Sequence, residues 1–303
     1  MSIVTNRKIF FAISALLVAS SLASLIVFGL NFGIDFKGGS IVEVEYVAER
    51  PTVEELSALL DTEENFRGYS VRPTGERGHI VRTPYLEGVA HTELLTLLSE
   101  NGQSPLTEKR FDNIGPTIGK ELTVKALISI LLVMLAIVLF IAFVFRKVSE
   151  PVSSWKYGLV AIVALLHDVI IPTGFFSIMG HFAGFEVDTL FVTALLVVLG
   201  FSVHDTIVVF DRVREHLRVN KEDRITEEFS ETVGKSVSET FNRSVNTSLT
   251  TVLALIALYF FGADATKHFA LTLIIGIVAG TYSSIFLGSP LLVTIEKWQN
   301  RGV

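Results

Sequence analysis

The sequence predicts an α-helical polytopic membrane protein: six spanning helices, with one small α+β domain inserted between the first and the second. Three observations carry this. Half of the 303 residues are hydrophobic and the mean hydropathy is +0.54, too apolar for a soluble domain of this length. Six apolar stretches, near residues 9–30, 126–146, 157–179, 188–210, 244–262 and 269–293, reach the roughly 20 residues that a bilayer core requires. One long polar segment, about 31–125, separates the first two and alternates strand-like with helix-like patterns.

The first stretch follows Arg7 and Lys8, and the small residues from Ala19 to Ala23 would also suit signal-peptide cleavage. Its apolar run is longer than the roughly 7–15 residues of a signal core, which favours a retained span. In the polar segment, "SIVEVEYV" (40–47) reads as a strand, and "PTVEELSALLD" opens a helix in which Thr52 and Glu55 form a capping box. Strands near 68–73 and 78–83 flank a turn with Gly75 and Gly78. "HTELLTLLSENG" is a second helix stopped at Gly102, and "SPLTEKRFDNIG" supplies a last strand. The order βαββαβ is that of a ferredoxin-like split βαβ domain.

Connections between the later spans are short, except for a charged one at about 211–243. Arg7, Lys8, Arg146, Lys147, Lys156, Arg212, Arg214, Arg218, Lys221, Arg224, Lys235, Lys297 and Arg301 all fall on one side, whereas the short loops near 180–187 and 263–268 offer only Lys267. The positive-inside bias therefore places both termini in the cytoplasm and residues 31–125 outside. The chain divides into 1–30 (cytoplasmic N-terminus and first span), 31–125 (outer domain with linkers) and 126–303 (five spans, the cytoplasmic connection 211–243 and a cytoplasmic C-terminus).

With no cysteine, disulfides, Cys-based metal sites and thiol catalysis are excluded. The net charge of -6 argues against nucleic acid. There is no P-loop, G-x-G-x-x-G or H-E-x-x-H, so any energy used comes from a partner or an ion gradient. No catalytic residue, cofactor or metal is expected.

Ionisable residues inside the spans are functional candidates, because lipid penalises each by several kcal/mol. "LLHDVIIPTG" puts His167 and Asp168 near the centre of the third span, either as a structural contact or as part of an ion path. "GFSVHDTIVVFDRVREH" puts His204 and Asp205 inside the fourth and closes it with Asp211 and Arg212, which suit a helix-end anchor. Arg243, in the fifth span, falls at the depth of Asp205 and is followed by a polar stripe of Asn246, Thr247, Thr250 and Thr251. Asp205 and Arg243 are expected to pair, as a coupling element or as a static salt bridge. The linkers "NFGIDFKGGS" (Gly33, Asp35, Gly38, Gly39, with Asp35 and Lys37 as a local pair) and "DNIGPTIGKEL" (Gly115, Pro116, Gly119) are hinges or plain connections. In the sixth span Gly276, Gly280, Ser284 and Gly288 make a small-residue stripe for close helix packing.

On "FGIDFKGGS", "GPTIGKEL", "HD", "GFSVHDTIVVFDRVRE", "FNRSVNTSLTT" and "GTYSSIF", in this order and at these membrane positions, the chain resembles the bacterial SecD/SecF family of protein-export subunits over essentially its whole length. The resemblance implies an RND-like half bundle with a periplasmic domain, in the bacterial cytoplasmic membrane. It implies a pseudo-symmetric SecD partner, association with SecYEG and often YajC, an indirect link to SecA, and action on unfolded preproteins in a lipid bilayer. It further implies proton-motive force as the energy source, with the family's span-four aspartate on Asp205 and its span-five arginine on Arg243. His167, Asp168, His204, Asp211 and Thr247 are then further candidates for the proton path. One departure is His204, where the family usually has Asn. The competing expectations are an RND-type exporter of lipids or small molecules, a scaffold of the channel that uses no proton, and an intramembrane hydrolase, for which the motifs are missing.

Overall fold

The computed structural model describes residues 2–146 and 152–300, so Lys147 and Arg301 of the charge asymmetry lie outside the described residues. In chain order the elements are α1 (Ser2–Thr5), α2 (Arg7–Phe28), α3 (Ile34–Lys37), β1 (Gly39–Tyr46), α4 (Val53–Leu60), β2 (Ser70–Thr74), β3 (Gly78–Thr83), α5 (Ala90–Leu98), β4 (Leu106–Ile114), α6 (Pro116–Val144), α7 (Ser154–Ala183), α8 (Thr189–Glu222), α9 (Phe229–Phe261), α10 (Asp264–Tyr282), a π turn (Ser283–Gly288) and α11 (Ser289–Asn300). They form two units: Phe32–Leu127, and the rest of the chain on either side of it.

In the smaller unit the sheet order is β2-β3-β1-β4, antiparallel at every pairing. Each outer strand is connected through a helix to a strand that is not its neighbour, which gives two interlocked split βαβ units. Val42, Val44 and Tyr46 point to one face of β1 and pack with Leu56, Leu60, Leu94 and Leu98 from α4 and α5. The alternation in "SIVEVEYV" is therefore the alternation of core and surface. The capping box forms as the sequence predicts: Thr52 Oγ1 accepts from the Glu55 amide at 3.2 Å, and Glu55 Oε2 accepts from the Thr52 amide at 2.8 Å. α5 ends at Leu98, four residues before Gly102, because Glu100 and Asn101 already turn left-handed at φ 50° and 57°.

Both linkers belong to this unit. Gly38 has φ +78°, and a Cβ on it would stand 2.9 Å from Pro116 Cα; one on Gly119 would stand 2.9 Å from the Gly38 nitrogen and the Phe36 carbonyl oxygen. Gly38 and Gly119 permit close backbone contact between the two linkers. Gly33 caps α3, Asp35 and Lys37 sit within it, Gly39 opens β1, and Gly115 precedes α6.

The other unit holds helices long and apolar enough to cross a membrane: Arg7–Phe28, Pro116–Val144 (shared with the smaller unit), Trp155–Ala183, Thr189–Glu222, Phe229–Phe261 and Thr266–Gln299. The charged connection is not a loop throughout. α8 runs on to Glu222 and α9 begins at Phe229, so only 223–228 lies outside helix. At 1.5 Å per residue α8 is about 51 Å long, well beyond a roughly 30 Å hydrocarbon core. Its polar end is held by ion pairs, including Arg212 to Glu215 (2.6 Å) and Arg212 to Glu239 on α9 (2.5 Å).

Candidate functional site

α8 and α10 approach closely because small residues on one meet side chains on the other at matched four-residue steps. Gly276 lies against Val198, and Gly280 faces Ser202, to which an added Cβ would come within 3.0 Å. Ser284 Oγ lies 2.8 Å from Thr206 Oγ1 and donates to the Ser202 carbonyl at 3.4 Å. The stripe thus packs as expected down to Ser284, where it also becomes polar. Gly288 turns instead toward Val160 of α7.

Asp205 is on the buried side of α8, with 2 % of its surface exposed. It lies about 24 Å along the helix from Thr189, and Arg243 about 27 Å from the matching end of α9. Thr281 Oγ1 of α10 donates to Asp205 Oδ2 at 3.5 Å, and Ser244 and Ser248 of α9 lie beside the carboxyl. Ser248 is in turn hydrogen-bonded to Thr281. His204 Nδ1 is 3.9 Å from Asp205 Oδ1, but 60 % of the His204 side chain is exposed.

The expected Asp205–Arg243 pair does not form. Consecutive helix residues are turned by about 100°, so when Ser244 faces Asp205 its neighbour Arg243 points away. Arg243 is exposed and has no ion pair among the described residues. The face of α9 turned inward is Thr232, Ser236, Thr240, Ser244 and Ser248, all buried and four residues apart. Asn246 and Thr250 are exposed, and Thr247 is half-buried with its carbonyl accepting from Thr250 and Thr251. The polar stripe read from the sequence is therefore split: Asn246 and Thr250 lie on the outer face, and Thr247 and Thr251 at its half-buried edge. The inner stripe was legible in the four-residue hydroxyl spacing, which calls for no charge.

His167 and Asp168 form a second buried cluster. Asp168 is fully buried and accepts from His167 Nδ1 at 2.9 Å, from Ser283 at 2.8 Å and from Ser202. Ser202 and Asp205 are one turn apart on α8, and Thr281 and Ser283 lie two residues apart, near the end of α10 and at the start of the π turn, so one segment reaches both carboxyls. Ser202, Ser244, Ser248, Thr281 and Ser283 were not singled out by sequence. Asp211 bonds to Arg214 at 2.5 Å on the exposed part of α8, apart from these clusters.

A family model described as "Protein export membrane protein SecD/SecF, C-terminal" matches residues 94–298, and one described as "SecD/SecF GG Motif" matches residues 23–48. Protein translocase subunit SecF of Thermobaculum terrenum is 41% identical over 99% of this chain and 95% of its own length. That of Anaerolinea thermophila is 37% identical over 99% and 96%. The crystal structure of SecDF, a translocon-associated membrane protein from Thermus thermophilus, matches 99% of this chain at 31% identity with a TM-score of 0.82, and this chain spans 39% of it. A match over most of the sequence, relatives aligned nearly end to end and the same helix arrangement agree: the chain belongs to the SecD/SecF family of protein export membrane proteins.

Proposed function

We propose that the chain is a SecF-type subunit of a bacterial protein translocase, working with SecD to complete SecYEG- and SecA-dependent export on the periplasmic side, and powered by the proton-motive force. The observation that carries the proton step is Asp205: a carboxyl buried within an apolar helix among the hydroxyls of Thr281, Ser244 and Ser248, with no lysine or arginine paired to it among the described residues. Such a group is costly to keep for packing alone. When it releases its proton the new charge needs a cation. His204 is nearest, and Arg243 adjoins Ser244 on the outer face. Proton binding and release would thus be answered by a movement of α8 against α9 and α10. One proton crossing 100 mV releases about 2.3 kcal/mol, which biases a two-state bundle roughly 50-fold.

The exposed Arg243, with Asn246 and Thr250 on the same side of α9, fits a polar surface of a SecD partner better than it fits lipid. In this reading both termini are cytoplasmic, and the βαββαβ unit is a periplasmic ferredoxin-like domain that handles the emerging preprotein. YajC completes the assembly. The deciding experiment is export with and without a proton gradient, in vesicles holding equal amounts of assembled complex. Asp205→Asn keeps the shape and removes the titration, so gradient-stimulated export is lost while ATP-driven export survives. Full stimulation in that variant would favour a scaffold role and end the coupling proposal.

A further inference from the structure

The Asp205 cluster does not include the other buried ionisable pair of the bundle. His167 is 3 % exposed and Asp168 not at all, near the middle of α7. Every acceptor position that Asp168 uses is filled from a different element: His167 Nδ1 on Oδ1, and the Ser202 and Ser283 hydroxyls on Oδ2. With a carboxylate as its acceptor, Nδ1 carries the ring hydrogen, and Nε2 is left as a bare lone pair. Nε2 is buried and has no hydrogen-bond partner among the described residues. Most buried side-chain nitrogens have a hydrogen-bond partner, so an unpartnered one inside the bundle calls for a reason. One nitrogen anchored on a carboxylate and the other open is the arrangement of a base.

The same turn of chain touches both buried carboxyls. Thr281 donates to Asp205; the Tyr282 ring stacks on His167 at 6.0 Å while its hydroxyl donates to the Phe10 carbonyl of α2; Ser283 donates to Asp168; and Ser284 bonds to Thr206. The π turn starts at Ser283, and π turns within α-helices are frequent at functional sites. The ionisable residues on the elements packed around His167 are Lys156, Tyr157, Asp168 and His181 on α7, His204, Asp205 and the charges of the polar end on α8, Asp264, Lys267, His268 and Tyr282 on α10, Arg7 and Lys8 in the first turn of α2, and Glu296 and Lys297 on α11.

We propose that His167 Nε2 is a second proton-binding atom, supported by Asp168, and that the segment from Thr281 to Ser284 links its charge state to Asp205. The inference rests on the proton-coupled reading above. A proton from water bonds to the Nε2 lone pair, Nδ1–H stays on Asp168, and the pair goes from a net charge of −1 to zero. The proton leaves from the same atom, and no heavy-atom bond changes. The loaded ring puts a second donor into the bundle beside Tyr282, and the π turn is the element that answers it.

Two measurements on the assembled complex test this. Exchange of the imidazole C2 hydrogen, followed by mass spectrometry, reports titration of single histidines, and a peptide covering 157–178 contains His167 alone. In the wild-type complex its rate should change sigmoidally with pH; a flat profile overturns the proposal without need of any variant. His167→Asn keeps a donor at the Nδ1 position for Asp168 and removes Nε2. Gradient-stimulated export should fall about tenfold or more, whereas full stimulation in that variant shows a structural role and overturns the proposal. Asp205→Asn is run alongside. If it keeps full stimulation while His167 titrates and its Asn variant fails, the Asp205 reading is lost and the His167 site stands.

Discussion

An added methyl group would distinguish Gly276 from Gly200. A Cβ at Gly276 would run into Val198 across the α8–α10 contact, whereas one at Gly200 meets nothing within 4 Å. Gly276→Ala should therefore lower stability by on the order of 1–3 kcal/mol through overpacking. Gly200→Ala should be neutral or raise it by about 0.5–1 kcal/mol by restricting the unfolded chain. Thermal midpoints of the two variants in one detergent check the contrast, and equal effects would refute it. At the capping box, the Thr52 backbone N–H and hydroxyl hold the Glu55 carboxyl below the usual carboxylate range. A carboxyl depressed in the folded state stabilises fully above its unfolded pKa of about 4.3 and loses that contribution as pH falls through the lower folded value. Thr52→Ala should cost α4 about 1 kcal/mol near neutral pH, seen as faster amide exchange at residues 56–60. The gap from wild type should narrow in acid, and a gap unchanged down to about pH 3 would show that the Thr52 hydroxyl carries no part of that linkage.

α9 has two polar faces with different work. The inner one, from Thr232 to Ser248 in four-residue steps, is buried against its neighbours; the outer one carries Arg243, Asn246 and Thr250 into exposure. Since the chain has no cysteine, single thiols can report on each face. A cysteine at Asn246 should react with a membrane-permeant reagent in the isolated chain and be shielded when SecD is co-expressed. One at Ser248 should be unreactive in both. Arg243→Ala should weaken co-purification with SecD, and Arg243→Lys should recover part of it, because an ammonium keeps the charge without the planar fork. Co-purification unchanged in Arg243→Ala would place the partner on another face. Sequence singled out Arg243, yet the side it faces depended on which of two overlapping stripes the bundle turned inward.

For the molecule as a membrane protein, the arrangement of charge sets orientation. Lys221 lies in the exposed last turn of α8, Thr74 ends β2, and Thr266 is in the first turns of α10. Cysteines at Thr74 and Thr266 should react with an impermeant thiol reagent in intact cells, and one at Lys221 should react only after the membrane is opened. Labelling of Lys221→Cys from outside would invert the topology. The ion pairs of Arg212 with Glu215 and Glu239 accompany two helices that continue beyond the apolar stretch, where the hydropathy pattern alone suggested that they stop.

Hydropathy by itself determined that there are six spans, because burying an unpaired backbone in lipid leaves a long apolar segment no alternative to helix. Period-two and capping patterns determined the βαββαβ order, since each reads local backbone preference. Motif order determined the family. Tertiary structure alone decided what surrounds each ionisable group. Whether Asp205 meets Arg243 or Ser244 is a rotation of about 100°, set by how hydroxyls and glycines on three helices interlock. Likewise, Gly38 and Gly119 were visible as loose linkers from sequence, but only the fold shows them pressed against each other's backbone. The π turn that delivers Ser283 to Asp168 has no sequence mark of its own. It lies where α10 packs against α7 and α8 at once, and no local propensity encodes that contact.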